Sequence, residues 1–240
     1  MNVAFVVGGQ IEPSDSDGEI EAYTFDIPGR VTWGATDDDH ACEVLYDVEV
    51  FHSDLEPFPV FENDPRTLVG FNGTDYDNAF GGGGGWVSGF HVTAQDCAGN
   101  TVRRTANTYP RIYQEDGFSP TPWDSPTIGF SGPWATQTGP WTSGGQQRFT
   151  STNGAAASFT MEFERGENVA VVMPEGPGRG SAGIYVDDVL AATVDTHAAT
   201  NDNRRIVFNR RMPAGTHTIR VENRATPGHP RIDVDAFMVI

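Results

Sequence analysis

Two tryptophans and one arginine in glycine- and proline-rich segments carry the most specific chemistry in this sequence. Trp134 and Trp141 lie in the segment FSGPWATQTGPW, and Arg179 lies in the turn-like segment GPGRG. A loop tryptophan can stack on the apolar C–H face of a sugar ring, and a guanidinium can donate paired hydrogen bonds to a hydroxyl or carboxylate. The three residues are therefore candidates for a glycan-binding site. In the alternative interpretation, Trp134 closes the bottom of a β-sandwich and Arg179 forms a local salt bridge.

Acidic residues at short spacing form two candidate calcium sites. Asp233 and Asp235 are separated by one residue in a strand-like segment. Their side chains would share one face, about 7 Å apart. Asp37, Asp38 and Asp39 are adjacent, and their mutual repulsion would favour a hard cation. The alternatives are a strand-end pair satisfied by backbone groups or Arg, and a solvated acidic loop. The sequence requires no cofactor, and structural calcium is the one metal it leaves open.

The sequence lacks the motifs of the common catalytic sites. Its histidines include no HExxH pair, and Ser181 lies in GRGSAG rather than in the G-x-S-x-G spacing of a nucleophile elbow. All 15 basic residues are Arg, so lysine chemistry of the Schiff-base and P-loop kinds is excluded. These observations predict that the protein is not an enzyme. A distant pair of carboxylates, as used in glycoside hydrolysis, is the catalytic alternative that the residues leave open.

The charge is strongly negative and unevenly distributed. The 240 residues carry a formal charge of −18 at pH 7. Residues 1–126 hold 22 acidic residues against 5 Arg, and residues 127–240 hold 11 against 10. The first of these segments has a net charge of −17 and would repel phosphate backbones and anionic lipids. The sequence also has no apolar run of the roughly 18 residues that a membrane-spanning helix needs. We therefore expect neither nucleic acid binding nor membrane insertion.

Period-two alternation and many turn residues predict an all-β chain of two antiparallel β-sandwiches. With 28 Gly and 16 Pro, long helices are disfavoured. Residues 1–22 are expected to form an N-terminal arm, and residues 23–109 contain six or seven short strand signals typical of a sandwich. Residues 110–126 are rich in proline and predict an extended linker, and residues 127–240 contain eight or nine strand signals that suit a jelly roll.

The first predicted sandwich resembles bacterial immunoglobulin-like or fibronectin-III-like modules. The segments VTWGATDDD, YDVEV and HVTAQDCAGN carry the resemblance. It implies that Cys42 and Cys97 lie in loops at the same end of the sandwich, where they could form a disulfide. The alternative is a pair of free, half-buried thiols.

The second predicted sandwich resembles galactose-binding-like jelly-roll modules. The segments FSGPW, GPGRGSAGIYVDD, RRIVFNRRMPAGTHTIRV and IDVDAFMV carry this resemblance. The family usually has Asp-Gly at the hairpin where this chain has Asp187-Asp188, and Asp still tolerates the positive φ of a two-residue turn. Members often bind carbohydrate or calcium, which makes both ligands expectations for this chain.

Two settings follow from these expectations. The modules are typical of extracellular proteins, but the sequence opens with Met and without the basic and apolar regions of a secretory signal. We therefore expect a non-catalytic phage virion surface component, such as a head or tail decoration or a fibre, which docks by its N-terminal part and displays the jelly roll. Its partners would be other virion or surface proteins and a cell-surface glycan, in a homo-oligomer or larger assembly. The alternative is the C-terminal carbohydrate-binding region of a secreted, extracellular bacterial protein or adhesin.

Overall fold

Strands dominate the computed structural model of the chain. The structure describes residues 2–6, 27–34, 44–54, 60–71, 75–80, 87–96, 99–108, 111–114, 126–163 and 166–239. Within these ranges the backbone forms nineteen β-strands in five sheets and one short 3-10 turn, Ser143–Gly145, and every strand pair is antiparallel. The predicted all-β fold class is confirmed. None of the described residues belongs to a helix long and apolar enough to cross a membrane.

The N-terminal part contributes seven of these strands. They are β1 (Asn2–Val6), β2 (Ile27–Gly34), β3 (Leu45–Asp54), β4 (Val60–Phe71), β5 (Asp75–Phe80), β6 (Val87–Gln95) and β7 (Thr101–Thr108). One sheet has the order β1-β2-β5 and the other the order β4-β3-β6-β7. Tyr46 and Val48 of β3 and Val92 and Ala94 of β6 are buried, as the alternation in EVLYDVEVF predicts. The immunoglobulin-like assignment of this part stays a prediction.

The C-terminal part contributes the other twelve strands. They are β8 (Arg111–Gln114), β9 (Thr127–Ser131), β10 (Ala135–Thr138), β11 (Gln146–Thr150), β12 (Ala156–Phe163), β13 (Glu167–Glu175), β14 (Ser181–Val186), β15 (Val189–Asp195), β16 (Asp202–Met212), β17 (Gly215–Asn223), β18 (Ile232–Val234) and β19 (Ala236–Val239). A five-stranded sheet, β15-β14-β17-β12-β9, packs against a four-stranded sheet, β16-β13-β19-β8, as in a jelly-roll sandwich. A third sheet of this part has three strands in the order β10-β11-β18.

Alternating side chains build the core between the two large sheets. In β12, Phe159, Met161 and Phe163 are buried on one face while Glu162 is exposed on the other. Phe159 stacks on Phe237 of β19 with ring centroids 5.0 Å apart, so the two sheets are joined through aromatic contact. Strand β13 is apolar on both faces, because a second buried cluster lies on the outer face of its sheet, formed by Ile112, Ala170, Val172, Ala236 and Met238.

The prediction of a linker over residues 110–126 is wrong for the four residues of β8. This strand pairs with β19 and completes the four-stranded sheet. Its Ile112 and Tyr113 are fully buried, and the Tyr113 ring lies 5.2 Å from that of Phe159. Burial of these two apolar side chains stabilises the pairing of residues 111–114 with the sheet, so these residues do not run as a free linker. Residues 115–125 lie outside the described ranges.

The predicted two-residue turn between β14 and β15 is confirmed. Asp187 and Asp188 have φ values of 50° and 65°, the left-handed pair that a type I′ hairpin requires. Oδ1 of Asp187 accepts the backbone N–H of Thr218 at 2.9 Å, and Oδ2 lies 2.7 Å from Nδ1 of His217. The side chain of Asp187 therefore ties the turn to the neighbouring strand β17.

Candidate functional site

An open pocket at one end of the jelly roll brings together residues from four separate segments. It has a volume of about 330 Å³ and is lined by Gln137, Trp141, Arg179, Asn201 and Asn203. Gln137 belongs to β10, Trp141 to the turn after it, and Arg179 to the turn that follows β13. Asn201 directly precedes β16, and Asn203 is the second residue of that strand. The volume is near the lower end of the range of about 300–1,000 Å³ for small-molecule sites.

The backbone of Gly139 sets the position of the Trp141 ring. A Cβ atom at Gly139 would come within 2.3 Å of the indole, so the ring lies directly against the glycine backbone. The backbone N–H and Oγ1 of Thr142 both donate to the Gly139 carbonyl, at 3.2 and 2.8 Å, and close the turn. The indole is 36% exposed at the pocket. It is the one aromatic group among the lining residues and can offer a ring face to a ligand.

Three hydrogen bonds hold the guanidinium of Arg179. Its Nε donates to Oδ2 of Asp233 at 3.0 Å, and its Nη1 donates to Oδ1 of Asn201 at 3.0 Å and to the Glu175 carbonyl at 3.4 Å. A Cβ at Gly176 would lie 2.4 Å from this Nη1 atom, so glycine at that position makes room for the contact. Arg179 therefore lines the pocket and forms a local salt bridge with Asp233, and its candidate role in glycan binding stays a prediction.

A buried carboxylate beneath the pocket is shared by two arginines. Asp233 is fully buried, and it accepts hydrogen bonds from Arg179, from Nε and Nη2 of Arg231, and from Nε2 of Gln147 at 2.8 Å. Nη2 of Arg231 also donates to Oε1 of the pocket residue Gln137. Two guanidinium groups face one carboxylate here, so this part of the site carries excess positive charge in an otherwise acidic chain.

Asp202 lies between the two asparagines of the pocket. Burial raises the pKa of its carboxyl group, and the Arg205 guanidinium, 3.4 Å away, opposes that rise. The carboxylate is therefore the less favoured form there, relative to an Asp in water.

Trp134 does not belong to this pocket. Its Nε1 donates to the Ser131 carbonyl at 3.1 Å, and its ring packs edge-to-face on Phe130 with centroids 5.2 Å apart. It is partly buried against the core of the sandwich. Trp134 is therefore not among the residues that line this pocket, and its candidate role in glycan binding stays a prediction.

Other groups of the protein contact Asp233 and Asp235, the pair that the sequence offers as a calcium site. Asp233 is occupied by two guanidinium groups, and a cation there would compete with charges already in place. Asp235 lies between β18 and β19, and both of its oxygens accept the backbone N–H of Ser143, at 3.0 and 3.1 Å. Backbone and guanidinium groups thus contact both carboxylates, and a calcium site here stays a prediction. Among the described residues, no three His, Cys, Asp or Glu side chains cluster as metal ligands would.

The other predicted sites lie outside the described residues. These are the disulfide candidates and the acidic loop, formed by Cys42, Cys97, Asp37, Asp38 and Asp39. Both stay predictions.

Sequence reasoning missed the three amide residues of the pocket. Asn201 and Asn203 lie in the polar run TNDNRR, which signals a loop before a strand, and Gln137 lies between the two tryptophans of FSGPWATQTGPW. These local signals were available, but nothing in them shows that residues 137, 179 and 201 meet. Strand β10 pairs with β11, and β11 with β18, which places Gln137 beside Arg231.

The lining groups are suited to binding polyhydroxylated molecules. Side-chain amides offer both donors and acceptors, a guanidinium offers donors in a fixed plane, and the indole offers an apolar face. Asn203 lines the pocket together with these groups. The five residues that line the pocket include no Asp, Glu or His.

Comparison with known proteins finds solved structures that resemble part of this chain at low sequence identity. No protein-family model matches the sequence, and a search of curated proteins finds no match. The CBM36-1 domain of a multidomain xylanase from the hindgut metagenome of Trinervitermes trinervoides is 14% identical, with a TM-score of 0.40 over 55% of this chain and 97% of that domain. A family 35 carbohydrate binding module from Clostridium thermocellum is 16% identical, with a TM-score of 0.39 over 55% of this chain and 98% of the module. The catalytic domain of a GH87 alpha-1,3-glucanase, in complex with nigerose, is 14% identical, with a TM-score of 0.37 over 55% of this chain and 28% of that domain.

Proposed function

We propose that this protein binds carbohydrate through its C-terminal jelly roll and does not transform it. The observation that carries the proposal is the convergence of the Trp141 ring, the amides of Gln137, Asn201 and Asn203, and the Arg179 guanidinium on one open pocket. An apolar ring face next to amide and guanidinium groups matches a sugar, which has a C–H face and a rim of hydroxyl groups.

The neighbourhood of the pocket favours a preorganised site. Gly139 supports the indole, Gly176 makes room for Arg179, and Asp233 holds Arg179 and Arg231 in place. Side chains already held in their binding geometry lose little conformational entropy when a ligand arrives. A ligand therefore meets groups that do not need to rearrange.

The direct test compares Trp141→Ala with Trp134→Phe on a panel of neutral and acidic glycans. We expect the wild-type protein to bind at least one glycan on the panel, and Trp141→Ala to bind it at least about tenfold more weakly because the stacking face is lost. Trp134→Phe keeps an aromatic ring against Phe130 and should bind as the wild type does. Isothermal titration calorimetry measures the affinities. A Trp141→Ala variant with wild-type affinity, or a wild-type protein that binds nothing on a broad panel, would refute the proposal.

The non-catalytic part of the proposal has its own readout. Prolonged incubation of the wild-type protein with the glycan it binds, followed by chromatography, should return the glycan unchanged. A new reducing end or a shortened product would show that the chain is an enzyme.

We also propose the setting expected from the sequence, a virion surface, with a secreted bacterial protein as the alternative. The support is the unequal charge, −17 over residues 1–126 against −1 over residues 127–240, which suits one part for docking and another for display. Antibody labelling of purified particles, together with flanking genes for capsid or tail proteins, would support the virion setting. A monomer in solution, with no particle association and a reading frame that continues upstream of Met1, would support the alternative.

A further inference from the structure

We propose that Arg204 is a positioning residue that holds Trp141 in its binding geometry without touching the ligand. The inference rests on the proposed function, because Trp141 is the aromatic group of that pocket. Arg204 is not among the lining residues, and it is only 8% exposed. Its influence on a ligand would therefore pass through the turn that carries the indole.

The guanidinium of Arg204 is bonded to two consecutive carbonyls of that turn. Its Nη2 donates to the Pro140 carbonyl at 2.8 Å, and its Nε donates to the Trp141 carbonyl at 3.3 Å. A guanidinium presents donors in a fixed plane, so two bonds fix both the distance and the orientation of the turn relative to β16. One flexible ammonium group could not set both.

A bulge in β16 aims Arg204 at the turn. Met173 pairs with Arg205 and Glu175 pairs with Asp202, so Asn203 and Arg204 together oppose the single residue between them on β13. Such an extra residue bends a strand and redirects its side chains. Here the two residues of the bulge serve the site in different ways, because Asn203 lines the pocket and Arg204 reaches the turn behind Trp141.

The backbone of Arg204 is strained to achieve this arrangement. Its φ is +56°, in the left-handed region where glycine is the favoured residue at a bulge. A strained backbone at a non-glycine residue persists only where the surrounding contacts maintain it, and such positions cluster at binding sites. Glycine adopts this backbone conformation more easily, but it lacks the hydrogen bonds that the side chain of Arg204 makes to the turn.

The turn is held from two sides. Gly139 lies against the indole ring, and Arg204 fixes the carbonyls of the two residues that lead to and include Trp141. Without Arg204, the ring keeps its glycine support but the turn loses its attachment to β16. We expect the Trp141 ring to sample more orientations in this case. A ligand must then order the ring when it binds, and this entropic cost lowers its affinity.

The experiment compares Arg204→Gly, Arg204→Lys and Arg210→Ala with the wild-type protein. Arg204→Gly removes the side chain and also relieves the left-handed strain, so its thermal stability should stay close to that of the wild type. Arg204→Lys keeps the charge but offers only a point donor, and it covers the case in which the glycine variant fails to fold. Arg210→Ala removes an exposed arginine from the same strand and is the matched control.

Two readouts are needed, and one requires no ligand. The chain has five tryptophans, so fluorotryptophan labelling gives a 19F spectrum in which Trp141→Phe identifies the Trp141 resonance. In the ligand-free protein, we expect Arg204→Gly to shift or broaden that resonance while the others stay in place. On the glycan identified by the panel, we expect its affinity to fall by about tenfold, with an intermediate loss for Arg204→Lys and none for Arg210→Ala.

The outcomes separate this inference from the proposed function. An unchanged Trp141 resonance in Arg204→Gly and Arg204→Lys, or wild-type affinity in both, overturns the positioning role. A wild-type protein that binds no glycan overturns the proposed function, and the ligand-free spectrum then decides by itself whether Arg204 holds the ring. A general loss of stability in which all tryptophan resonances change would show that Arg204 is only a structural residue.

Discussion

At the scale of single residues, the two aspartates of the β14–β15 turn are held differently although they are neighbours. The hydrogen bond from the Thr218 backbone N–H lowers the pKa of Asp187, and His217 adds to the shift. Asp188 points into solvent with a side chain that is 95% exposed. A carboxyl group whose pKa is lower in the folded state than in the unfolded state stabilises the fold at pH values above its unfolded-state pKa. This contribution is lost as the pH falls through the folded-state pKa.

Replacing Asp187 by Asn should remove this pH dependence. Asn keeps an oxygen for Thr218 and tolerates the positive φ, but it carries no charge. We expect Asp187→Asn to be less stable than the wild type at pH 7 by less than about 1 kcal/mol, because the carboxylate is half exposed and screened by solvent. The difference should shrink as the pH falls through the lowered folded-state pKa of Asp187, because the wild-type carboxyl then takes up a proton.

Urea unfolding at pH 7, 4.5 and 3 measures the effect. Asp188→Asn is the control, since its exposed carboxylate should leave stability unchanged across this range. A stability gap for Asp187→Asn that is as large at pH 3 as at pH 7 would contradict the assignment.

At the scale of elements, strand order decides which residues reach the pocket. Strand β10 joins the small sheet with β11 and β18, and the turn after β10 then lies against the start of β16. The bulge in β16 and the type I′ turn between β14 and β15 are both places where non-glycine residues adopt positive φ. Only the first of them contributes residues to the pocket.

The turn at Asp187-Asp188 permits a test of its backbone geometry at the second position. Asp188 has a φ of 65°, which glycine adopts without steric cost and alanine does not. We expect the Asp188→Gly variant to be about 1 kcal/mol more stable than the Asp188→Ala variant, since the two share the loss of the side chain. Equal midpoints of urea unfolding would show that the turn takes another conformation in solution.

At the scale of the whole molecule, the jelly roll begins earlier in the chain than the proline pattern indicates. Strand β8 supplies an edge of the four-stranded sheet, and its buried Ile112 and Tyr113 contribute to the clusters on the two faces of that sheet. A C-terminal unit defined by residues 127–240 therefore lacks part of its own core.

Two fragments test this boundary. Residues 109–240 retain β8, whereas residues 127–240 do not. We expect the longer fragment to unfold cooperatively and the shorter one to lose several kcal/mol of stability or to aggregate, because removal of one large buried side chain alone costs about 3–5 kcal/mol. Circular dichroism during heating measures both fragments, and equal melting temperatures would show that β8 is dispensable.

Local patterns in the sequence were sufficient for the fold class and for several elements. The alternation of Phe159, Met161 and Phe163 along the chain is sufficient to identify the buried face of β12, and Asp187-Asp188 predicted a two-residue turn. Period-two burial and turn geometry involve residues that are close in the chain, so they can be read from a short window. Trp141 and Arg179 were found in the same way, from residue type and loop context.

Only the tertiary structure decided which of these residues act together. It placed Trp141 and Arg179 on one pocket with Asn201, packed Trp134 against the sandwich, and paired Asp233 with two arginines. The physical reason is that the neighbours of a strand in a sheet can come from any part of the chain. The residues that meet at the end of a sandwich depend on that order, and a window of sequence contains the residues but not the order.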